Sequence, residues 1–370
     1  MLLKLFKSLR PPRRDRAGGV AFLTMGGAPH RFTPEDRMQS SQASVRLRVL
    51  IPGRELSRTM SATVVPFDDV EAEREPAALE TVSTVVIAKV TTGLLTENPD
   101  YARRLLRWVE RHADRYRLVA DLSDDYAGMA TDLRAPFLAE YQETLARHCM
   151  LTVPCEALRS RLQPVAHRGI HVVEDPWEGD AREPRTPGSG RPLRLAWFGN
   201  LAEANAAVVE HALASIGHRF RGQAMRLDLV AHEQRRELAE AVLARAREAN
   251  SALQAAFRPW SLEATREAID ACDVVLLPQD TGDTWRAAKS HNRLVEALRG
   301  GRLALASPIP SYLELGEFAW IGDDLADGLE WALAHPGDAA RRIVAGQACV
   351  AKRFSPQAIA ARWRDVLAAS

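Results

Sequence analysis

Short apolar runs alternate with segments of helical periodicity along the first half of the chain. Apolar runs of strand length recur, at residues 20–24, 46–51, 84–90, 118–122, 150–153 and 170–173. Between them, residues 101–112 and 137–148 carry apolar side chains at three- and four-residue spacing, which is typical of amphipathic helices. Strands that alternate with helices form a mostly parallel sheet covered on both faces. The pattern therefore predicts an α/β fold.

The composition changes at residues 176–192, where Pro, Gly and charged residues replace the apolar periodicity. Such a segment is typical of a linker. The alternation then restarts, with candidate strands at 193–198, 226–231, 253–257, 273–278 and 303–306. We predict two doubly wound, Rossmann-like domains, residues 17–175 and 193–370, facing a cleft at the carboxyl ends of their strands, where such folds bind ligands. The last helix, at 356–369, is a candidate to pack back on the N-terminal domain.

Length and composition narrow the possible partners. The 370 residues suffice for two domains of ordinary size. The 49 Lys and Arg residues nearly balance the 48 Asp and Glu residues, so charge gives no reason to expect a nucleic-acid partner. The four cysteines have no metal-ligand spacing, and we expect core thiols in a reducing, cytoplasmic compartment. No apolar run approaches a membrane span.

Residues 1–16 form a separate basic tail, in which Leu and Phe are interspersed with Lys and Arg. One interpretation is a disordered terminus. A second is a short amphipathic segment that contacts anionic lipid, which would place the protein at the inner face of the membrane. A third is an export signal, with Arg13 and Arg14 ahead of the apolar residues 20–25, although glycines and a His-Arg pair interrupt that run.

Residues 289–306 carry the strongest candidate for a binding site. Their pattern predicts a loop, a short helix capped by Ser290, a stop at Gly300 and Gly301, and a buried strand. On that helix, Lys289, Asn292 and Glu296 share one polar face, with Arg293 beside them. A helix start attracts anions, so a diphosphate could bind there while Glu296 accepts hydrogen bonds from sugar hydroxyls. The alternative is an amphipathic helix whose charged residues merely meet solvent.

The second half of the chain resembles a known family in four places. They are residues 195–200, 271–278, 289–306 with its continuation to 312, and the terminal 354–363. Together they resemble the nucleotide-binding domain of GT-B glycosyltransferases, chiefly the large retaining nucleotide-sugar group, over roughly residues 190–370. The first half matches by architecture only. By this resemblance Glu296 takes the place of the glutamate that holds the nucleotide's ribose, whereas the group's other glutamate, eight residues earlier, is replaced by Ala288.

The resemblance implies a glycosyltransferase that moves a sugar from a nucleotide-diphosphate donor to a glycan, lipid-linked or other hydroxyl acceptor, as in cell-surface polysaccharide synthesis. The N-terminal domain would hold the acceptor, and no further cofactor is expected. Because Lys289 and Arg293 could stabilise the departing diphosphate, we expect no metal requirement. Asp280 or Asp283 could hold the donor sugar in place of the missing glutamate. The candidate donor-binding residues are Gly26, Gly27, Gly199, Asn200, Asp283, Lys289, Asn292, Arg293 and Glu296.

Three residues of the first half are candidates for catalysis. His30 follows the predicted turn at Gly26 and Gly27 and could exchange a proton near neutral pH. A surface loop histidine is the alternative. Asp124 and Asp125 lie at the carboxyl end of a predicted strand, where one could act as a base or bind an acceptor hydroxyl. Helix capping is the alternative for both.

Two other functional classes stay open at this point. The substitution at Ala288 favours a catalytically inactive, glycosyltransferase-like binding or scaffold protein, while the intact face from Lys289 to Glu296 argues against it. A different two-domain α/β enzyme or a periplasmic-type ligand-binding protein is the second class. The periplasmic protein would need the export signal, so a mature chain that starts near residue 29 would support it. The sequence specifies neither the sugar and its acceptor nor a retaining or inverting outcome.

Overall fold

The computed structural model describes residues 18–71, 77–132, 135–188, 192–282 and 285–369. The basic tail at 1–16 and the candidate Asp283 lie outside the described residues. In the part of the chain that is described, no helix has both the length and the apolar character needed to cross a membrane.

The first half forms a seven-stranded sheet in the order β2-β3-β1-β4-β5-β6-β7. Only β2 runs antiparallel, against β3, and the other pairs are parallel. The strands are β1 (Gly19–Thr24), β2 (His30–Arg31), β3 (Ala62–Pro66), β4 (Val82–Ile87), β5 (Arg117–Asp121), β6 (Met150–Val153) and β7 (Ile170–Val172). The strand order reverses between β1 and β4, which opens a crevice at their carboxyl ends.

Helices connect these strands and cover the sheet with two apolar layers. They are α1 (Ala43–Val45), a π-helical turn (Arg46–Leu50), α2 (Ile51–Leu56), α3 (Phe67–Glu71), α4 (Ala77–Glu80), α5 (Thr92–Glu97), α6 (Pro99–His112), α7 (Tyr126–Asp132), α8 (Phe137–His148), α9 (Glu156–Leu162) and a 3₁₀ turn (Gln163–Val165). The predicted helices at 101–112 and 137–148 are confirmed.

The second half forms a six-stranded, all-parallel sheet in the order β10-β9-β8-β11-β12-β13. The strands are β8 (Leu193–Phe198), β9 (Met225–Ala231), β10 (Leu253–Pro259), β11 (Val274–Leu277), β12 (Leu303–Ala306) and β13 (Trp320–Ile321). This is the doubly wound order of dinucleotide-binding folds, with its switch point between β8 and β11. The predicted α/β class with two mostly parallel sheets is therefore confirmed.

The helices of the second half follow the same alternation. They are α10 (Glu203–Arg219), α11 (Arg236–Ala249), α12 (Leu262–Ala271), α13 (Asn292–Arg299), α14 (Pro310–Leu313), α15 (Leu325–Ala334), α16 (Pro336–Arg353) and α17 (Pro356–Ala368), with 3₁₀ turns at Glu233–Arg235 and Arg286–Ala288. The last of them, α17, packs on the first sheet, where Trp363 meets Phe22 edge to face at 5.9 Å. The chain thus crosses between the two halves twice.

The strand predicted at residues 46–51 is wrong, because this segment is the π-helical turn that leads into α2. Arginines alternate with apolar residues there, and that alternation is typical of a half-exposed strand. Both Arg46 and Arg48 are buried instead, since each is paired with a carboxylate far along the chain. The true neighbour of β1 on this side is β3 (Ala62–Pro66), which the sequence analysis missed.

Candidate functional site

Helix α13 starts at the carboxyl edge of the second sheet, shortly after β11. Its apolar side is buried, and its last turn runs into Gly300 and the left-handed Gly301, as the glycine pair predicts. The predicted Ser290 cap is wrong, because His291 is the capping residue and its side chain makes no capping hydrogen bond. The Ser290 hydroxyl instead accepts the Asn292 N–H at 3.2 Å and donates to Asp175 Oδ2 at 2.5 Å. The start of α13 is therefore tied to the segment that joins the two halves.

The Glu296 carboxyl faces that joining segment. Within the described residues, the Glu178 N–H donates a hydrogen bond to Glu296 Oε1 at 3.3 Å. Burial, reinforced by the charge of Glu178, raises the pKa of Glu296 to about 8, while Arg266 and Arg46 oppose the rise. A carboxylate can accept about four hydrogen bonds. This half-buried group therefore has capacity for further donors, such as two sugar hydroxyls.

An ion pair between the halves lies beside Glu296, and the sequence analysis missed it. Arg46 Nε and Nη2 donate to the two oxygens of Glu178 at 2.8 and 3.0 Å. The Arg46 guanidinium also lies 6.0 Å from the ring centroid of Trp260, which follows β10 and packs against His232. An aromatic ring near a carboxyl that can accept further hydrogen bonds suits a nucleobase, because bases stack on aromatic side chains. A tryptophan at the carboxyl end of a predicted strand was the signal available in the sequence.

Gly199 and Arg293, two of the predicted donor-binding residues, are in contact. Gly199 has φ +154°, and a Cβ there would lie 2.9 Å from Arg293 Nη1. The same nitrogen donates to the Phe198 carbonyl at 3.4 Å. Glycine thus leaves room for the Arg293 guanidinium at the carboxyl end of β8. Asn200 is exposed beside it, and its carbonyl accepts a hydrogen bond from Asn205.

Asn292 lies at the first position of α13, with its side chain half-buried. Its Oδ1 atom is buried, and no hydrogen-bond partner for it occurs among the described residues. A buried polar atom without a partner is uncommon in a folded protein and marks a place where a ligand or water can donate. The N-terminal face of α13 thus presents this acceptor and the Arg293 guanidinium.

Lys289 reaches across to the first half of the chain. Its Nζ lies 3.9 Å from Asp124 Oδ1, and Asp124 Oδ2 lies 2.5 Å from Lys89 Nζ. Asp124 follows β5 and Lys89 follows β4, so this cluster lies at the carboxyl edge of the first sheet. The structure therefore brings two of the predicted site residues together and adds Lys89, which the sequence analysis did not identify.

Gly26 and Gly27 follow β1 on the same edge. Both have positive φ, +148° and +98°, and a Cβ at either position would meet no heavy atom within 4 Å. A side chain would be strained at these positions but would not clash. The backbone at this turn is therefore accessible to a ligand.

Asp125 is engaged differently from Asp124. Its Oδ1 accepts the Gly128 N–H at 3.0 Å in the first turn of α7, and its Oδ2 lies 2.6 Å from Arg161 Nε. Both carboxylate oxygens are thus used in capping and in an ion pair. This is the capping alternative, so the structure corrects the catalytic assignment of Asp125 to a structural one.

His30 lies away from this cluster. It is on β2, the edge strand beyond β3, where its Nε2 is 2.9 Å from Asp36 and its ring packs edge to face on Phe32. The side-chain contacts described for His30 are with its own segment, and its backbone pairs with Val64 of β3. The structure does not bring it together with Lys289 or Asp124.

The loop before α13 packs on the first half of the chain and does not line the cleft with acidic side chains. Trp285 and Ala288 belong to the core beneath the first sheet and are 6% and 4% exposed. The Cys155 thiol donates to the Ala288 carbonyl at 3.4 Å. A buried methyl group therefore stands where the resembled group has a glutamate. The neighbouring Asp280 accepts the Gly282 N–H at 2.9 Å and so shapes its own turn.

Among the residues that the structure describes, no group of three or more His, Cys, Asp or Glu side chains is placed to hold a metal ion. The cations that the structure brings to this edge include Lys89, Lys289 and Arg293. The independence from metal stays a prediction.

Comparison with known proteins identifies the fold. No protein-family model matches the sequence. A search of curated proteins also gives no match. HepE from Anabaena, solved with UDP and glucose, has a TM-score of 0.63 and 13% identity, with 95% of this chain and 99% of HepE covered.

Two further solved structures have the same architecture. The E. coli trehalose-6-phosphate protein bound with UDP-2-fluoro glucose has a TM-score of 0.55 and 11% identity, over 95% of this chain and 99% of that one. TarM from S. aureus has a TM-score of 0.56 and 10% identity, over 77% of this chain and 54% of TarM. At these identities the likeness shows the fold alone. The chain has the GT-B fold of the glycosyltransferases, as its resemblance predicted.

Proposed function

We propose that this protein transfers a sugar from a nucleotide-diphosphate donor to a hydroxyl group of a glycan or lipid-linked acceptor. The observation that carries the proposal is the half-buried Glu296 carboxyl, with its raised pKa and spare hydrogen-bonding capacity, one turn into a helix that begins beside Lys289 and Arg293. Ribose hydroxyls supply the donors that Glu296 lacks. The diphosphate lies against the helix start and its two cations.

UDP is the first nucleotide to consider, because HepE and the E. coli structure were solved with UDP or a UDP-sugar. In this arrangement the base lies near Trp260, where the ring is available for stacking. The sugar then points from the second half towards the carboxyl edge of the first sheet. Gly26 and Gly27 lie on that edge and let the backbone approach the donor, and the acceptor binds beside Asp124.

The transfer requires stabilisation of a leaving group. As the bond from the anomeric carbon to the diphosphate breaks, negative charge grows on the departing phosphate oxygen. Fixed cations and helix N–H groups stabilise that charge more than they stabilise the ground state. Lys289, Arg293 and the start of α13 have this role in the proposal, without a metal ion.

The biological setting is part of the same proposal. We propose a role in cell-surface polysaccharide synthesis, in the cytoplasm, with residues 1–16 as a contact to the inner face of the membrane. A basic segment of this kind is attracted to anionic lipid. Deletion of residues 1–16 should then abolish sedimentation with anionic vesicles and leave nucleotide binding unchanged.

The proposal is tested by calorimetric titration with UDP, GDP, dTDP and ADP and their sugars. One nucleotide should bind saturably, and Glu296→Ala should weaken it about 10- to 150-fold, because a hydrogen bond to a charged group contributes roughly 1.5–3 kcal/mol. Glu237→Ala, which removes an exposed glutamate of α11, is the matched control. Equal affinities for wild type and Glu296→Ala, both folded, would remove the assignment of the site.

Nucleotide binding should also release protons from Glu296. The free carboxyl has a pKa of about 8 and is largely protonated at pH 7, whereas hydroxyl donors favour the carboxylate and lower its pKa. Titrations at pH 7 in buffers of different ionisation enthalpy should therefore report release of up to about one proton per nucleotide. Glu296→Gln should bind more weakly and release none. Equal proton release by both proteins would contradict the proposed contact.

The second candidate is a binding protein without catalysis, favoured by the buried Ala288. A carboxylate that would hold the donor sugar is absent from that position. This candidate predicts nucleotide affinity without consumption of the bound sugar nucleotide. Release of nucleoside diphosphate, measured over hours with saturating donor and a panel of hydroxyl acceptors, decides between the two.

A further inference from the structure

The cluster of Lys89, Asp124 and Lys289 joins the two halves at the crevice. Asp124 is 8% exposed, and it is held between an ammonium group from each half. The two contacts are unequal. Lys89 Nζ is at hydrogen-bonding distance, 2.5 Å, whereas Lys289 Nζ is at 3.9 Å, beyond a direct hydrogen bond.

The two lysines also differ in their surroundings. The Lys89 side chain is 21% exposed, and the Lys289 side chain is 48% exposed and lies 5.1 Å from the ring centroid of Trp285. The Asp124 carboxylate therefore has an ammonium group from each half beside it. Lys289 can turn to an incoming anion, and Asp124 still keeps a compensating partner in Lys89.

We propose that Lys89 is a positioning residue for the transfer: it holds Asp124 in place while the donor diphosphate draws Lys289 away. Asp124 Oδ1, without the Lys289 ammonium nearby, then accepts the proton of the acceptor hydroxyl. The inference rests on the proposed function and extends it in two respects. It assigns a role to Lys89, and it makes the basicity of Asp124 depend on a bound donor.

The step balances without another reactant. The acceptor hydroxyl gives its proton to Asp124 Oδ1, and its oxygen forms the new bond to the anomeric carbon. The bond from that carbon to the diphosphate oxygen breaks, and its electron pair leaves with the nucleoside diphosphate. Lys289 and the start of α13 stabilise the added charge. Asp124 then returns its proton to solvent.

The charges around Asp124 support this coupling. Burial raises the pKa of Asp124, but the Lys89 and Lys289 ammonium groups more than offset it, so the pKa lies below its usual value. Tyr126, at the start of α7, has a raised pKa because it is buried, and it stays neutral. Asp121 and Asp125 are paired with arginines.

Movement of Lys289 to a diphosphate removes one of the two cations, so the pKa of Asp124 rises and the carboxylate becomes a stronger base. The change occurs only with the donor bound. Asp124 is therefore a weak base in the free protein, and it becomes competent when the leaving group is in place.

The test measures kcat for sugar transfer by Lys89→Met as a function of pH. The assay uses the donor that the titrations identify and a reactive acceptor. Without Lys89 the pKa of Asp124 rises, so the acidic limb of the kcat–pH profile should shift to higher pH by at least about one unit. The dissociation constant of the nucleotide should change less than about threefold, since Lys289 and Arg293 remain. Lys89→Arg should restore the wild-type limb, and Lys352→Met, on the exposed end of α16, should behave as wild type.

The outcomes separate the two claims. If Lys89→Met transfers sugar at the wild-type rate and its kcat–pH profile is not shifted, the role of Lys89 is overturned and the proposed function stands. A loss of nucleotide affinity as large as that of Lys289→Met also overturns it, because Lys89 would then be a donor-binding cation. Absence of both nucleotide binding and transfer in the wild type overturns the proposed function and this inference with it.

Carboxyl NMR tests the coupling without an acceptor. With ¹³C-labelled aspartate, the Asp124 resonance is identified by its absence in Asp124→Asn. Its pKa should rise when saturating nucleoside diphosphate is added, and it should not respond in Lys289→Met. A resonance whose titration is the same with and without nucleotide in the wild type overturns the inference.

Discussion

Lys289→Met is expected to lower kcat for sugar transfer about 100- to 1,000-fold, the cost typical of removing one group that stabilises a developing negative charge. Methionine keeps the length and apolar stem of the lysine and removes only the charge. The ammonium now lies between Asp124 and the Trp285 ring, where it can turn to a departing phosphate. Release of nucleoside diphosphate under saturating donor measures the effect.

The control for this variant is Lys352→Met, which removes an exposed lysine from α16 and should leave kcat unchanged. Nucleotide affinity should fall less than kcat does, because the lysine contributes most when charge develops. If Lys289→Met raised KM and left kcat intact, Lys289 would bind the donor without stabilising its departure. That result would contradict the role proposed for it in catalysis.

Arg48→Met is expected to lower the free energy of unfolding by about 3–5 kcal/mol, the cost of leaving a buried carboxylate without its partner. Arg48 is 2% exposed and donates to both oxygens of Asp121, at 2.5 and 3.0 Å. It also bonds to Asp175 at 3.3 Å and to the Val173 carbonyl. Methionine fills much of the space but removes the cation, so Asp121 keeps the Thr152 hydroxyl as a donor and Asp175 keeps the Ser290 hydroxyl, and both lose the compensating charge of Arg48. Urea denaturation followed by fluorescence measures the loss.

The matched control is Arg245→Met on α11, where the ion pair with Glu248 is more than 60% exposed on both sides. Exposed pairs contribute about 0–1 kcal/mol, so this variant should stay within that range. Adding Asp121→Asn to Arg48→Met should recover part of the stability, because one uncompensated charge is removed. A loss below about 1 kcal/mol for Arg48→Met would show that water or other groups solvate Asp121 and Asp175.

The Arg48 network also connects the segment that joins the two halves with the candidate binding site at α13. Asp175 accepts from Arg48 through Oδ1 and from the Ser290 hydroxyl through Oδ2. The Asp175 carboxylate thus connects the first half with Ser290, which lies two residues before the first residue of α13. Changes in the relative position of the two halves would therefore be transmitted to Ser290 and to the adjacent Lys289.

Sequence periodicity was sufficient where an element is determined by its own residues. Helix α8 (Phe137–His148) has the predicted limits, because its apolar stripe and end residues are local signals. The stop at Gly300 and Gly301 and strand β12 were predicted for the same reason. Local signals of this kind determine most of the alternation that predicts the two sheets.

Periodicity failed where distant partners decide the structure. The arginines at 46 and 48 indicated a strand with one solvated side, but their carboxylate partners lie 132 and 73 residues away. The sequence contains no local signal for these pairs. The same limitation applies to Lys89, which a strand end places near the crevice but which only the fold brings to Asp124.

A crystal structure of the protein soaked with the nucleotide that it binds is the most direct test of the central claim. We expect the ribose hydroxyls within about 3 Å of the Glu296 oxygens, and the diphosphate at the start of α13 beside Lys289 and Arg293. The Lys289 ammonium should then have moved from Asp124 to a phosphate oxygen. A nucleotide bound elsewhere, or with its ribose turned away from Glu296, would contradict the account.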